Sequence, residues 1–409
     1  MKAGGLFRTV PPRVRWLIYL LSFSNVGTGY YWVATSAYLP EIGISNVDVG
    51  LLLALNGISF IVTAIPLGLL ADRIGRRKIL LWGLLGVPPA LLIYALTSEL
   101  QWLVVASIVA GVAEGGFLTT WNALIADLTE PENRQEAFAL SFVLSSFSGA
   151  VGFALPLAFP SLESALALSS HDVHSAFFVI LAVAAAVTPV TIHRLLNDYQ
   201  ETSFNGAKIR KGRNIRPLLK FSAYNGLIGL GAGFIIPLIP TWLLVRFGLP
   251  DSVSGPLLAV SSMTIAFASI GSAWLGRRYG LVRAIVLTQG TSTLFMVSLA
   301  FAPEAFLACG LYVVRSSLMN MAAPLSDSFL MEIISKEERG FASALNSLVW
   351  RLPHSATTIV GGLLLSAGYY DIPFFLAAGF YMVSIAMFYL TFRSAPVSTV
   401  KAADTAQCP

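Results

Sequence analysis

The sequence predicts an all-α membrane protein, with twelve transmembrane helices arranged as two pseudo-symmetric six-helix bundles. Three observations carry this. Of 409 residues, 56% are hydrophobic and only 11% charged, whereas soluble domains carry about 25% charged residues; mean hydropathy is +0.74. Apolar stretches long enough to cross a hydrocarbon core, which needs ~20 helical residues, recur about twelve times. The chain also repeats itself: Asp127 and Arg134 recur as Glu332 and Arg339, both 205 positions later (332 − 127 and 339 − 134). The same offset carries Gly50-Leu51-Leu52-Leu53-Ala54 onto Gly255-Pro256-Leu257-Leu258-Ala259, and Arg73-Ile74-Gly75 onto Arg278-Tyr279-Gly280. Repeated membrane halves work by moving against each other around a site between them.

The expected spans are 14–39, 47–71, 79–97, 101–126, 136–160 and 173–195 in the first half, and 217–245, 253–276, 284–302, 304–331, 340–366 and 372–392 in the second. The first follows Arg8, Arg13 and Arg15 and has the charge pattern of a secretory signal; losing it would break the sixfold symmetry, so it is read as a retained helix. The domain division expected is a first bundle over 1–196, a basic linker over 197–216, a second bundle over 217–395 and a tail over 396–409. The linker holds Lys208, Arg210, Lys211, Arg213 and Arg216.

Lys and Arg fall on one side of these spans: Lys2, Arg8, Arg13 and Arg15; Arg73, Arg76, Arg77 and Lys78; Arg134; Arg194, the linker group and Lys220; Arg277, Arg278 and Arg283; Lys336 and Arg339; Arg393 and Lys401. On the opposite side only Arg246 stands out among Glu41, Asp48, Glu99, Glu163, Asp172, Asp251, Glu304 and Asp371. Cytoplasmic loops retain positive charge, so both termini are expected in the cytoplasm of a cell whose plasma membrane the chain crosses. Topology accounts for the net charge of +5, and no nucleic-acid partner is expected. Cys309 and Cys408 lie on opposite sides of the membrane and form no disulfide framework.

Between the second and third spans runs Gly68-Leu69-Leu70-Ala71-Asp72-Arg73-Ile74-Gly75-Arg76-Arg77-Lys78. Two glycines permit close helix approach and a sharp turn, and Asp72 can face a helix N-terminus or accept from Arg76. This loop resembles the signature loop of the major facilitator superfamily, and the symmetry, topology and length agree over essentially the whole chain. The resemblance implies a transporter working by alternating access, with Asp72, Arg73, Arg76 and Asp127 forming a cytoplasmic latch. The bland alternative is that these charges anchor a tight loop. In the second half Asp72 maps onto Arg277, and Arg76 and Arg77 onto Leu281 and Val282, so a mirror latch is doubtful. Glu332 could still pair with Arg278 or Arg283.

Ionisable groups within spans cost ~2.5–3.5 kcal/mol each at the bilayer centre on insertion scales. The cases are Glu114, Arg315, Asp327 and Arg351. Glu114 lies at mid-span, sharing a face at spacing seven with Ser107 and Trp121, and the resemblance places a face of that helix on a central cavity. Glu114 is a candidate proton or cation site, and Arg351, with His354 one turn on, and Arg315 are candidates for an anionic substrate group. Fixed buried pairs holding the bundle in register are the competing reading. Asp327 is nearer the cytoplasmic end and reads as a gating residue. Asn25, Tyr31, Trp32, Trp121, Asn122, Asn225, Asn320, Asn346 and Trp350 could offer hydrogen bonds and ring faces to a ligand, or glue helices together. Asn25 and Asn225 rank first, because the resemblance puts cavity walls on the first helix of each half.

Two features of proton-driven drug exporters in that family are missing: an arginine where Ser107 stands, and an intact Gly-Pro repeat, of which Gly149 to Pro156 keep a degraded version. No phosphate-binding glycine loop appears and His171, His174, His193 and His354 form no metal cluster, so neither catalysis nor a cofactor is expected. His171 and His174, beside Asp172 in an outer loop, could make a weak metal contact, but such a group is more often a solvated loop. The expectation is therefore a monomeric secondary transporter of a small organic solute, coupled to protons. A multidrug antiporter, or a receptor that has kept the fold without transport, is the alternative.

Overall fold

The computed structural model describes residues 9–199, 216–334 and 339–393. Lys2 and Arg8, the linker residues Lys208, Arg210, Lys211 and Arg213, Lys336, and the tail with Lys401 and Cys408 lie outside these residues, as does the side chain of Arg339.

The first half is helical almost throughout. Helix α1 (Pro12–Val33) passes into a single π turn (Ala34–Tyr38) and a last short turn α2 (Leu39–Glu41). The wider turn falls just before Pro40, whose missing N–H and bulky ring disturb the regular ladder. Helices α3 (Asn46–Ile74), α4 (Arg76–Leu96) and α5 (Leu100–Asp127) follow. The fifth span is longer than expected: α6 (Pro131–Ala154) meets a 3-10 turn around Pro156 and continues as α7 (Phe159–Leu166). Helix α8 (Ser170–Leu195) starts with a capping box, in which Ser169 Oγ accepts from the Asp172 amide and Asp172 accepts from the Ser169 amide.

The second half repeats the plan. Helix α9 (Arg216–Gly233) breaks at a 3-10 turn carrying Pro237 and resumes as α10 (Ile239–Phe247), the counterpart of the break in the first span. Helices α11 (Asp251–Tyr279), α12 (Leu281–Ala300), α13 (Ala305–Ile333), α14 (Arg339–Ser366) and α15 (Ile372–Phe392) complete it. Among the described residues nine helical segments are long and apolar enough to cross a membrane. The remaining long helices, α1, α11 and α14, have the length, at 22, 29 and 28 residues, but carry more Ser, Thr, Asn and Arg. Backbone as well as side chain keeps the repeat: Gly75 and Gly280, 205 positions apart, both turn the chain at positive φ (109° and 77°), a region open to glycine without a Cβ clash.

The structure divides into two compact units. One holds α1 to α8 together with Ile236–Met263 and Ser355–Tyr370. Within it α5 packs on α3 and α4, α1 on α6 and α8, and α4 on α8. A close pair of contacts obeys the repeat: a Cβ on Gly50 would lie 2.8 Å from the Thr358 carbonyl oxygen, and one on Gly255 would lie 2.4 Å from that of Phe153. Thr358 and Phe153 are themselves 205 apart (358 − 153), so bare backbone is required at the same place in both repeats. The other unit holds most of α9, the greater part of α11 and α14, and α12, α13 and α15; there α12 packs on α13 and α15, and α9 on α15 and α13.

Candidate functional site

In the first unit α1, α3, α4, α5 and α6 surround a cavity of about 520 Å³, within the range of small-molecule sites. Helix α1 contributes Ser24, Asn25, Thr28, Tyr31 and Trp32; α3 contributes Asn56; α4 contributes Leu84, Val87 and Leu91; α5 contributes Glu114, Phe117, Trp121 and Asn122; α6 contributes Phe138, Ser141 and Phe142. The walls are mostly carbon, much of it aromatic. Glu114 is the one carboxylate among the lining residues, and it is half-buried.

Spacing on α5 explains how this side chain gets there. Residues at 110, 114, 117, 118 and 121 fall on one helical stripe, and all five line the cavity. The opposite stripe packs on α3 and α4 through small residues: a Cβ on Gly111 would lie 2.2 Å from the Asn56 carbonyl oxygen. Supporting hydrogen bonds fix the walls. Trp121 Nε1 donates to Ser141 Oγ at 3.0 Å, and Tyr31 donates to Ser107 Oγ at 3.2 Å. Ser107, expected on the face of Glu114 and Trp121, is fully buried behind Tyr31 rather than exposed on the wall. Asn56, Ser141 and the α6 aromatics were not singled out from sequence, because an amide or hydroxyl in an apolar run gives no sign of which face it occupies.

The expected latch residues meet at the basic end of the same unit. Arg76 Nη1 lies 2.6 Å from Asp127 Oδ2 and its Nη2 3.6 Å from Asp72 Oδ1. Tyr199 also donates to Asp127 Oδ2 at 2.6 Å, and Arg77 donates to the His193 carbonyl and to Asn197 Oδ1. Arg134 donates to the carbonyls of Ala126 and Thr129, satisfying acceptors that the end of α5 leaves open. The Asp127…Arg134 pair thus combines an ion-pair acceptor and a helix cap. Arg73 lies exposed in the last turn of α3.

The second-half candidates lie in the other unit. Arg315 is 4% exposed; its Nη2 donates to Tyr381 Oη at 2.8 Å and its guanidinium lies over the Tyr381 ring at 5.6 Å. Asn225 Nδ2 donates to Asn346 Oδ1 at 2.9 Å, joining α9 to α14. Trp350 and His354 stack at 4.6 Å on α14, with the half-buried Arg351 between them in sequence. Asp327 and Glu332 lie exposed on the last two turns of α13, and Arg278 lies over the rings of Trp274 and Tyr279.

A second expectation is corrected. His171 and His174 do not form a solvated loop: they open α8, and His174 is 1% exposed, with Tyr30 Oη 2.7 Å from its Nδ1. Helix α8 starts earlier than the hydropathy boundary because its capping box extends it outward.

The sequence profile of the Major Facilitator Superfamily matches residues 16–228 and 221–407. Multidrug resistance protein 1 of Bacillus subtilis is 22% identical over 91% of this chain and 94% of its own length. The class C tetracycline resistance protein of Escherichia coli is 29% identical over 78% and 79%. Among solved structures, a point mutant of the nucleoside transporter NupG superposes with a TM-score of 0.75 at 14% identity, over 93% of this chain and 100% of that one. A bacterial homologue of the human lysosomal transporter Spinster gives 0.70 at 16% identity, over 93% and 96%. Such low identities speak for a shared fold, while the profile spans nearly the whole chain. With its duplicated helices, this chain belongs to the Major Facilitator Superfamily and is a multi-pass secondary transporter.

Proposed function

We propose that the chain exports amphipathic, aromatic, positively charged small molecules in exchange for protons, with Glu114 as the shared site. The observation that carries this is the lone carboxylate in an aromatic cavity. A cation there gains charge neutralisation from Glu114 and ring faces from Trp32, Trp121 and Phe117, each cation–π contact contributing about 0.5–2 kcal/mol. A proton on Glu114 removes the charge that holds such a cargo, so proton and cargo compete, which is the requirement for exchange. The relatives named for multidrug and tetracycline resistance support export, although Ser107 stands where many exporters carry arginine.

In this reading the basic end faces the cytoplasm, with both termini there, and the Asp72–Arg76–Asp127 contacts restrain that side. Arg315, held by Tyr381, acts as helix glue rather than as an anion site, and Asn225–Asn346 does the same for α9 and α14. The protein works as a monomer, because each chain contains its own cavity.

The test is export of ethidium, an aromatic cation, from proteoliposomes under an imposed proton gradient. The wild type is expected to move ethidium against protons, and Glu114→Gln to lose gradient-driven export while still folding. Equal proton-driven export by Glu114→Gln would remove Glu114 from the mechanism.

A further inference from the structure

We propose that the acidic end of the first unit carries a proton-binding site of its own, the His174–Asp251 pair together with Glu41, whose proton holds first-half and second-half helix ends together. His174 Nε2 and Asp251 Oδ2 face each other at 3.3 Å, and the two side chains are 1% and 6% exposed. Neither atom has a hydrogen-bond partner satisfying ordinary geometry, although buried polar atoms almost always find one. Two such atoms facing each other in an enclosed space mark the seat of a shared proton.

The surroundings leave little else to satisfy them. The imidazole is stacked on Tyr38 at 3.6 Å, with Tyr30 on its Nδ1, and Phe159 meets it edge-on. Asp251 begins α11, and its amide donates to Glu41 Oε1 at 2.5 Å, so a carboxylate from the end of the first span sits at a second-half helix N-terminus. The other charged or titratable groups around the pair are Glu163 on α7, and His171, which lies 3.0 Å from Tyr38 Oη, with Asp172 on α8. Arg246 on α10 lies over Trp242 and Phe247. Thr241 Oγ1 donates to the Ser36 carbonyl beside this cluster, joining α10 to the π turn.

Without a proton, the pair and Glu41 place two negative charges in an enclosed site. Burial, reinforced by Glu41, pushes the Asp251 carboxyl up to about 7. Burial likewise pushes Glu41 up to about 7, against the lowering effect of the Asp251 amide. Separated and hydrated, the two carboxyls return to about 3.9 and 4.3. Between about pH 4 and pH 7 the joined form therefore holds more protons than the parted form. On joining, the two carboxyls take up more protons than the single one a hydrated His174 imidazole would give up below about 6.5, so raising the pH through that window weakens the seal. The proton is taken from and returned to the same side of the membrane, so it sets how often this end opens and not the transport stoichiometry.

The experiment measures spin-label distances in the full chain. Cys309→Ser and Cys408→Ser remove the native thiols, and Ala165→Cys with Ala367→Cys places labels at exposed positions in the last turn of α7 in the first half and just past α14 in the second. One short distance is expected at pH 5, with a longer one growing at pH 8, the population ratio changing at least about tenfold. Asp251→Asn, which mimics the protonated acid, is expected to hold the short distance at both pH values, and Glu41→Gln to flatten the response. Glu114→Gln in the same background keeps the full response, so failure of the cavity reading and failure of this one are distinguishable. A distance distribution that does not change with pH in the parent, or an undiminished response in Asp251→Asn, overturns the proposal. Should Asp251→Asn fail to fold, an undiminished response in Glu41→Gln does the same.

Discussion

Glu114 and Arg315 present the same physical problem, a charge within the span of a membrane helix, on α5 and on its counterpart in the repeat, α13. The protein solves it in two ways. Glu114 is half-buried and lines a cavity whose other walls are largely apolar. Arg315 is 4% exposed and spends its charge on Tyr381, over whose ring it also packs. Depth in the sequence marks both as costly; neighbours decide which faces a cavity and which is tied into packing.

Four measurements break or sharpen that contrast. Arg315→Ala should cost the most stability, about 2–4 kcal/mol, since it deletes a charge-assisted hydrogen bond and leaves a cavity among α12, α13 and α15. Reversible unfolding in detergent measures it, and a cost below about 0.5 kcal/mol would put Arg315 on the same footing as Glu114. Tyr381→Phe removes only the phenolic acceptor and should cost about 1.5–3 kcal/mol by the same assay. Ser141→Ala leaves the buried Trp121 N–H without its partner, so about 1–2 kcal/mol is expected, along with weaker ethidium binding in a fluorescence titration, because the indole that walls the cavity is no longer held. Glu114→Gln should change stability least, by less than about 0.5 kcal/mol, while proton-driven export falls. A large loss of stability in Glu114→Gln would mean that it too is a structural charge, and the contrast would fail.

Much of this was legible in the sequence for a definite reason. Asp127, Arg76 and Asp72 were expected together because the resemblance of their loop to the family's signature implies a latch, and the structure places Arg76 2.6 Å from Asp127. Asn25, Trp121 and Asn122 were read as candidate wall residues beside Glu114, and all three line the same cavity as Glu114. The partners were not legible. Tyr381, 66 residues from Arg315, is one tyrosine among 13. Tyr199 reads as part of the linker until it is found on Asp127. His174 reads as a loop histidine because the acid it faces, Asp251, belongs to the other half of the chain.

By itself the sequence determined the solvent, the helical multi-pass character and the repeat, because each follows from local quantities: how many apolar residues run together, where positive charge interrupts them, and which residues recur at a fixed offset. Tertiary structure alone decided which intramembrane charge meets a cavity, which is tied into packing, and which acids lose their water. Those outcomes depend on the rotation of each helix and on residues brought together across the chain, and a charge has no fixed energy until the groups facing it are known.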